Sequence, residues 1–316
     1  ANNIKGISLR APLIGRFFKL LLSSSFVMMR GKEEFMLKAV QQFAIRDAFK
    51  NKDMAARVLS VAKGCGYEAI EMCGFLTRKL PLVIRGFAAM AGMAIGPCGK
   101  LDWQNIIKSS GLKVVSIHED LGTITSKTDM VSAEAEGFGT DTVVITGMFK
   151  YDYSDKAEVL KLANDLNSAG SMLKKRGLRL LYHNHNCELC RIQGSDNTAF
   201  EAIVENTDPE LVNFEYDSYW IAEAGADPVE WMDRLGTRLR LWHINDRGFR
   251  PAGKTASIRK SGGMELGTGN MPLKRLVAKA KELGVEAVIL ENHADWIDGD
   301  PVKSLKISAD FLNSNV

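Results

Sequence analysis

One theme repeats along the chain from residue 37 to its end: a short apolar run, a turn, an amphipathic helix, a glycine, and the next apolar run. The segment 155–175 is typical, because Val159, Leu162 and Leu166 fall on one helical face and Gly177 is placed to end the helix. Alternation of this kind indicates parallel strands joined by crossover helices. Eight such units in 316 residues are what a closed (β/α)8 barrel needs. We therefore predict the α/β class and a single TIM barrel with an N-terminal extension.

The repeated units also set the expected domain boundaries. The predicted strands lie at residues 39–45, 69–73, 114–118, 142–146, from 180, 213–216, 241–244 and 287–290. No linker rich in Pro, Gly or Ser divides the chain, so the barrel is expected at residues 39–316 and the extension at residues 1–38. Residues 16–29 have a basic and apolar character, but Lys19 and three serines interrupt them. A packed amphipathic arm is the main interpretation and a targeting remnant is the alternative.

Charge and cysteine content limit the partners and the compartment. The net charge of +3 is small and dispersed, which argues against nucleic acid as a partner. The apolar stretch at residues 16–29 is too short to span a bilayer, so no membrane partner is expected. Five cysteines in a long chain favour reduced thiols over a disulfide framework. We expect a cytoplasmic protein, or a periplasmic one if the N-terminus is a targeting remnant, with a homo-oligomer left open.

Four predicted strands end in side chains that commonly bind metal ions. The fifth strand ends in His183 and His185, and later strands end in Asp217, His243 and Glu291. Alternate residues of a strand share a face, so both histidines of the fifth strand are expected on the same side. In a barrel of this type the carboxyl ends of the strands carry the active site. These side chains therefore predict a metal site shared among strands.

The same rule selects a wider set of candidate site residues. They are Glu71, His118, His183, His185, Glu188, Asp217, His243, Asp246 and Glu291. A mixture of imidazole and carboxylate ligands suits Mn²⁺, Co²⁺, Fe²⁺ or Zn²⁺ better than Ca²⁺, and we also admit Mg²⁺. Such an ion would polarise a carbonyl or hydroxyl pair on a substrate. Taken singly, each residue also has a structural interpretation, such as a hydrogen-bonded core histidine or an aspartate that caps a turn.

Two further features concern the substrate. Trp220 and Trp296 follow Asp217 and Glu291 closely, and their faces suit the apolar side of a sugar ring, although packing at the barrel rim is equally compatible. The loop after the seventh strand is basic, with Arg247, Arg250, Lys254, Arg259 and Lys260. It is either a phosphate-binding loop or a solvated lid.

These motifs together identify a family resemblance that extends from about residue 38 to the end. The chain resembles the sugar phosphate isomerase/epimerase superfamily, the xylose isomerase-like barrels that include inosose dehydratases, ketose 3-epimerases and endonuclease IV. The matching motifs are residues 42–47 (QFAIRD), 66–71 (GYEAIE), 182–185 (YHNH), 217–220 (DSYW), 224–228 (AGADP), 242–246 (WHIND), 265–269 (ELGTG) and 298–301 (DGDP).

The resemblance implies a divalent metal ion held by one side chain from each of the fifth to eighth strands. In this sequence the matching positions are His183, Asp217, His243 and Glu291. His183 stands where many isomerases and epimerases of the family carry a glutamate that is both ligand and base. His185 could be the fifth-strand ligand in place of His183. Trp220 replaces the histidine of the endonuclease-type members, which disfavours a nuclease.

The remaining candidates also have expected roles. With His183 as ligand, Glu188 or His185 would carry the proton transfer. Substrate contacts are expected from Glu71, His118, Trp220 and Asp246.

The leading expectation for the reaction is a metal-dependent isomerase or epimerase of a sugar or keto sugar. It would abstract the proton next to a carbonyl and form a metal-stabilised enediolate. The alternatives are a sugar or cyclitol dehydratase, a keto-glycoside lyase, or a carbohydrate-binding barrel without catalysis.

Overall fold

The computed structural model describes residues 36–79, 86, 98–148, 150–250, 258–292 and 295–316. The predictions made for residues 1–35 fall outside these residues. Eight of the described strands form a closed parallel barrel in which sequential strands are neighbours and the last pairs with the first. The barrel strands are β1 Leu37–Gln41, β2 Ala69–Cys73, β3 Lys113–Glu119, β4 Thr142–Thr146, β5 Arg179–His183, β6 Val212–Asp217, β7 Leu239–Ile244 and β10 Ala287–Leu290. The predicted TIM barrel is confirmed.

Helices cover the outside of the barrel between successive strands. They are Lys52–Gly64, Gly74–Thr77, Trp103–Ser110, Leu121–Ser126, Thr128–Phe138, Lys156–Lys174, Ala199–Asn206, Ser218–Glu223, Pro228–Leu235, Leu273–Leu283 and Pro301–Asn315. Local sequence sets several of their starts: the side chains of Asp155, Asp227 and Asp300 accept hydrogen bonds from the first backbone N–H groups of the helices that follow them. Among the helices of the described residues, none is long and apolar enough to cross a membrane.

The strands bury both faces, as the near-continuous apolar runs predict. Outward side chains such as Tyr182, Phe214 and Trp242 pack in the large core between barrel and helices. A second, smaller core fills the barrel axis with Ala39, Ala69, Val144, Leu181, Leu241, Ala287 and Ile289. This inner core forms an apolar floor below the polar residues of the site.

Two parts of the fold differ from the sequence-based expectation. The first strand was expected to run to residue 45, but β1 ends at Gln41 and a 3-10 helix, Phe43–Ala48, follows it. The loop after the seventh strand contains an antiparallel pair, β8 Asp246–Gly248 and β9 Gly262–Met264, that was not predicted. Both strands are three residues long and contain glycine, so the sequence lacks the alternation of apolar and polar residues that predicts a strand.

Candidate metal centre

Period-two geometry explains how the polar residues come together. On six barrel strands the residue two positions after an inner-core residue is polar. Three examples are His183 after Leu181, His243 after Leu241 and, one residue past β10, Glu291 after Ile289. Because strand residues two apart share a face, these side chains point into the barrel above its apolar floor. Parallel pairing places His183 beside Glu215, and Asp217 beside His243. The polar layer therefore lies at the carboxyl end of the strands.

The structure brings the four predicted metal ligands together. Each of His183, Asp217, His243 and Glu291 is buried, and one ligand atom from each lies within 4.8 Å of those of the others. The Nδ1 atom of His243 is 2.8 Å from Oε2 of Glu291. Two imidazoles and two carboxylates in one cluster form a donor set that suits a divalent transition metal.

Asp217 is the member of this group with the most distinctive surroundings. Its Oδ1 accepts hydrogen bonds from the backbone N–H groups of Tyr219, at 2.7 Å, and Trp220, at 3.2 Å. Its Oδ2 is buried, and no hydrogen-bond donor among the described residues satisfies it. Burial and the nearby Glu291 carboxylate raise the pKa of the Asp217 carboxyl well above its usual range, against the opposing charge of His243. A cation beside Oδ2 would relieve both conditions, so the residues present fit a metal ion.

A second cluster lies against the first and contains a residue that sequence reasoning missed. Oε2 of Glu215 is 2.9 Å from Nε2 of His118, 3.0 Å from Nδ1 of His183 and 3.2 Å from Nε2 of His243. These four residues also place one ligand-type atom each within 4.8 Å of one another. The Oε1 atom of Glu215 is buried without a donor among the described residues. Glu215 precedes Asp217 by two positions, so strand periodicity could have found it.

Glu71, an expected substrate contact, is held inside the barrel by other side chains. Its Oε1 accepts a hydrogen bond from Oγ of Ser116 at 2.5 Å, and its Oε2 accepts one from Nε2 of Gln41 at 3.1 Å. Oε2 also lies 2.7 Å from Nε2 of His243 and 2.9 Å from Nε2 of His118. Its polar partners are therefore the side chains around the histidines.

The pKa values of the three histidines in the two clusters shift in different directions. For His118, burial opposes protonation, but the Glu71 and Glu215 carboxylates outweigh it and raise the pKa to about 10. The pKa of His243 is likewise raised despite its burial, by Glu215, Glu291 and Glu71. Burial and the positive charge of His243 lower the pKa of His183, against the hydrogen bond to Glu215. Without a bound cation, His183 is therefore the one of these three histidines that favours the neutral form.

The two expected proton-transfer residues have different surroundings. His185 lines the cavity above the metal centre, and its ring centroid lies 5.1 Å from that of His183 and 5.6 Å from that of Trp220. Glu188 is completely buried. Its Oε1 accepts a hydrogen bond from the Tyr182 hydroxyl at 2.9 Å, and its Oε2 accepts one from the backbone N–H of His185 at 3.0 Å.

Two other residues expected to contact the substrate, His118 and Asp246, lie in different parts of the structure. His118 lines the cavity, with its Nδ1 2.9 Å from Oγ1 of Thr146. Asp246 is 1% exposed, and its carboxylate accepts hydrogen bonds from the backbone N–H groups of Arg247, Gly267, Gly269 and Met271 at 2.8 to 3.0 Å. Asp246 therefore anchors the loop that contains β8 and β9.

Two described arginines of the basic loop form ion pairs, and the described Arg259 donates a hydrogen bond to the backbone carbonyl of Arg250 at 3.1 Å. Arg247 pairs with Glu223, and Arg250 pairs with Glu265 at 2.8 Å. Residues 251–257, which include Lys254, lie outside the described residues. Paired guanidinium groups give the described part of the loop a structural role.

A cavity of about 700 Å³ opens above the metal centre. Its polar lining residues include His118, His183, His185 and Glu291. Its apolar lining residues include Phe43, Phe75, Leu121 and Met148. A ligand with both polar and apolar groups would fit this lining.

Glu119 is a titratable residue of the cavity lining that was not expected from the sequence. Its carboxylate pairs with Arg78, which also contacts Glu134. Burial raises the pKa of Glu119 to about 7, although Arg78 opposes the shift. Its position next to His118 at the end of β3 was the available sequence indication.

Comparison with known proteins gives relatives at the level of sequence and of fold. An inosose dehydratase from Mesomycoplasma hyopneumoniae is 29% identical over 200 residues, which cover 58% of this chain and 65% of that protein. The chain thus matches slightly less than two thirds of the length of this relative. A sugar phosphate isomerase/epimerase from Parabacteroides distasonis superposes with a TM-score of 0.68 at 22% identity and covers 88% of this chain and 94% of its own.

A further structural neighbour carries a metal ion. The IOLI protein, solved with a bound zinc atom, superposes with a TM-score of 0.63 at 14% identity, over 89% of this chain and 99% of its own. At these identities the structural neighbours bear on the fold alone. The sequence model of the xylose isomerase-like TIM barrel matches residues 59–315, which is most of the chain. With the closed barrel and the predicted resemblance, this match shows that the chain belongs to the xylose isomerase-like TIM barrel family.

Proposed function

We propose that this protein is a divalent-metal-dependent enzyme that abstracts the proton next to the carbonyl of a keto sugar or keto cyclitol. The observation that carries the proposal is the buried group of His183, Asp217, His243 and Glu291 below a cavity large enough for a sugar. The Asp217 oxygen without a donor among the described residues supports a cation in that group.

The four residues would hold the ion through two ring nitrogens and two carboxylates. When bound, it supplies a Lewis acid that polarises the substrate carbonyl and makes the adjacent proton more acidic. The zinc atom bound by the IOLI protein, a structural neighbour, supports a divalent ion as the cofactor. We propose Mn²⁺, Co²⁺, Mg²⁺ or Zn²⁺.

His185 is the residue to which we assign proton transfer. It lines the cavity directly above His183, whereas the carboxylate of Glu188 is turned towards Tyr182 and the His185 backbone. A buried acceptor on the N–H of His185 fixes the backbone that carries the imidazole. We therefore revise the expected role of Glu188 from base to positioning residue.

Dehydration is the reaction that we now place first. In this reaction the base takes the proton next to the carbonyl, the hydroxyl on the following carbon leaves with a proton as water, and a carbon–carbon double bond forms. The sequence relative named inosose dehydratase supports it. His183 stands in place of the usual glutamate, so one of the two bases that a two-glutamate epimerase needs is missing.

Isomerisation or epimerisation, the leading expectation from sequence, is the second candidate. It returns the proton to the substrate, in epimerisation from the opposite face. His118 on β3 and His185 in the loop after β5 both line the cavity, and this placement supports the second candidate.

Deuterium exchange separates these possibilities. Protein loaded with Mn²⁺, Co²⁺ or Zn²⁺ is incubated in D₂O with keto-inositols and keto sugars, beside chelator-treated protein as the control. We expect loss of one water from a keto-inositol, measured by mass spectrometry, only with metal. Deuterium incorporation without loss of water would support the isomerase or epimerase instead. Absence of both in a complete panel would favour a non-catalytic carbohydrate-binding barrel.

The proposed location is the cytoplasm. All five cysteines are free thiols, and Cys187 and Cys190 are exposed. Exposed, unpaired thiols persist best in a reducing compartment.

A further inference from the structure

We infer that Glu215 and Glu71 are positioning residues that decide which ring nitrogen His183 and His243 present to the proposed metal ion. The inference rests on the proposed function, because it concerns the ligands of that ion. From sequence, Glu71 is expected to contact the substrate, and Glu215 has no expected role.

The ring of His183 is fixed by Glu215. Nδ1 of His183 is 3.0 Å from Oε2 of Glu215 in hydrogen-bond geometry, and both side chains are buried. A neutral imidazole has one N–H donor and one acceptor nitrogen, and an ionised carboxylate can only accept. The proton therefore lies on Nδ1, and Nε2 is left with the lone pair for the metal.

The ring of His243 is fixed in the opposite sense by Glu71. Nε2 of His243 is 2.7 Å from Oε2 of Glu71, and Nδ1 is 2.8 Å from Oε2 of Glu291. Glu291 belongs to the proposed ligand group, so Nδ1 faces the ion and Nε2 carries the proton. The two histidine ligands would thus bind through different nitrogens.

The positioning carboxylates are themselves held in place. Ser116 and Gln41 each donate a hydrogen bond to Glu71. Nε2 of His118 lies 2.9 Å from Oε2 of Glu71 and 2.9 Å from Oε2 of Glu215. Rotation of either glutamate would break these contacts inside the barrel. Carboxylates in this outer position orient metal-binding histidines, and their loss typically lowers metal affinity roughly 10- to 100-fold.

The neighbouring cluster of His118, His183, Glu215 and His243 provides the competing arrangement. An ion there would use Glu215 as a ligand and the opposite ring nitrogens, Nδ1 of His183 and Nε2 of His243, because those atoms face Oε2 of Glu215. Each arrangement reaches the cavity through two of its members, His183 and Glu291 in the first and His118 and His183 in the second. In the first arrangement one of the lining ligands is a carboxylate, that of Glu291, whereas in the second both are imidazoles.

The choice of nitrogen can be read directly by NMR spectroscopy. The chain has five histidines, so long-range ¹H–¹⁵N correlations of full-length, Zn²⁺-loaded protein labelled with ¹⁵N-histidine are resolvable, and His185→Gln helps to assign them. We expect a zinc-shifted Nε2 with a protonated Nδ1 for His183, and the reverse for His243. The opposite pattern on either ring would overturn the inference and leave the metal-dependent function standing. No zinc-shifted nitrogen on either ring would overturn both.

A substitution tests the positioning role separately. Glu215→Gln should lower Zn²⁺ affinity roughly 10- to 100-fold and mix the two tautomers of His183. The matched control is Asp165→Asn on the exposed face of helix Lys156–Lys174, which makes the same carboxylate-to-amide change and should alter neither quantity. A folded Glu215→Gln protein with unchanged affinity and an unchanged His183 spectrum would contradict the inference. If the variant fails to fold, the spectrum of the unsubstituted protein still decides.

Discussion

At the scale of single residues, Asp217 combines a structural and a proposed metal-binding function in one carboxylate. Oδ1 caps the helix Ser218–Glu223 through two backbone N–H groups, while Oδ2 has no donor among the described residues. Oδ1 therefore contributes to the fold, and Oδ2 is the oxygen proposed to bind the metal ion.

Asp217→Asn should keep the cap and lose the metal. An asparagine retains Oδ1 as an acceptor, and the neutral amide removes a buried carboxylate that lies near Glu291. We expect a metal-free melting temperature equal to or above that of the unsubstituted protein, with no further rise on addition of Zn²⁺. Thermal unfolding monitored by circular dichroism, with and without the ion, measures both quantities. A metal-induced rise that survives the substitution would contradict the assignment.

His185→Gln separates proton transfer from metal binding. If His185 is the base, kcat should fall roughly 10²- to 10⁴-fold, the usual contribution of a general base, while metal affinity stays unchanged. Steady-state kinetics and isothermal titration calorimetry with Zn²⁺ provide the two readouts. A loss of affinity with turnover retained would make His185 the fifth-strand ligand in place of His183.

Part of the site was predictable at this scale, for a physical reason. His183, Asp217, His243 and Glu291 lie at strand ends, where barrel geometry alone makes side chains converge. The surroundings of Glu188 and Asp246 could not be predicted in this way. Their hydrogen bonds depend on how the following loops return to the barrel, and no local pattern encodes that return.

At the scale of elements, the strands and most helices follow the sequence pattern, and the loop after β7 does not. Glu265 explains how this loop is held: its carboxylate accepts hydrogen bonds from Arg250 at 2.8 Å and from the backbone N–H of Ile297 at 2.9 Å. These contacts join the segment after β9 to the segment after β10. They involve residues 15 and 32 positions away, which a local pattern cannot register.

The same residue predicts a pH dependence of stability. Burial would raise the pKa of Glu265, but Arg250 and the Ile297 N–H outweigh it and lower the pKa from 4.5 to about 2. A lowered pKa in the folded state gives stability that is present above pH 4.5 and is lost as the pH falls towards 2. The free energy of unfolding, measured in urea between pH 2 and 6, should show this loss. Glu265→Gln should have a lower free energy of unfolding at pH 6 and a smaller decrease between pH 6 and pH 2. The same decrease in the variant as in the unsubstituted protein would show that the ion pair does not contribute.

At the scale of the whole molecule, the barrel places the proposed metal ion where loops and strands meet. The apolar inner core closes the barrel axis below the site, so the polar layer is reached from the cavity at the carboxyl end. Folding thus brings side chains from four strands, spread over more than a hundred residues, into one ligand group. A metal that binds only the folded chain would stabilise it by about 2.7 kcal/mol at a free concentration one hundred times Kd.

We propose above all that a divalent ion binds among side chains from the fifth to eighth barrel strands. The most direct measurement is anomalous scattering at the zinc absorption edge from crystals of the Zn²⁺-loaded protein. We predict one anomalous peak per chain, bounded by His183, Asp217, His243 and Glu291. A peak held instead by His118 and Glu215, or no peak at full Zn²⁺ loading of the solution, would contradict it.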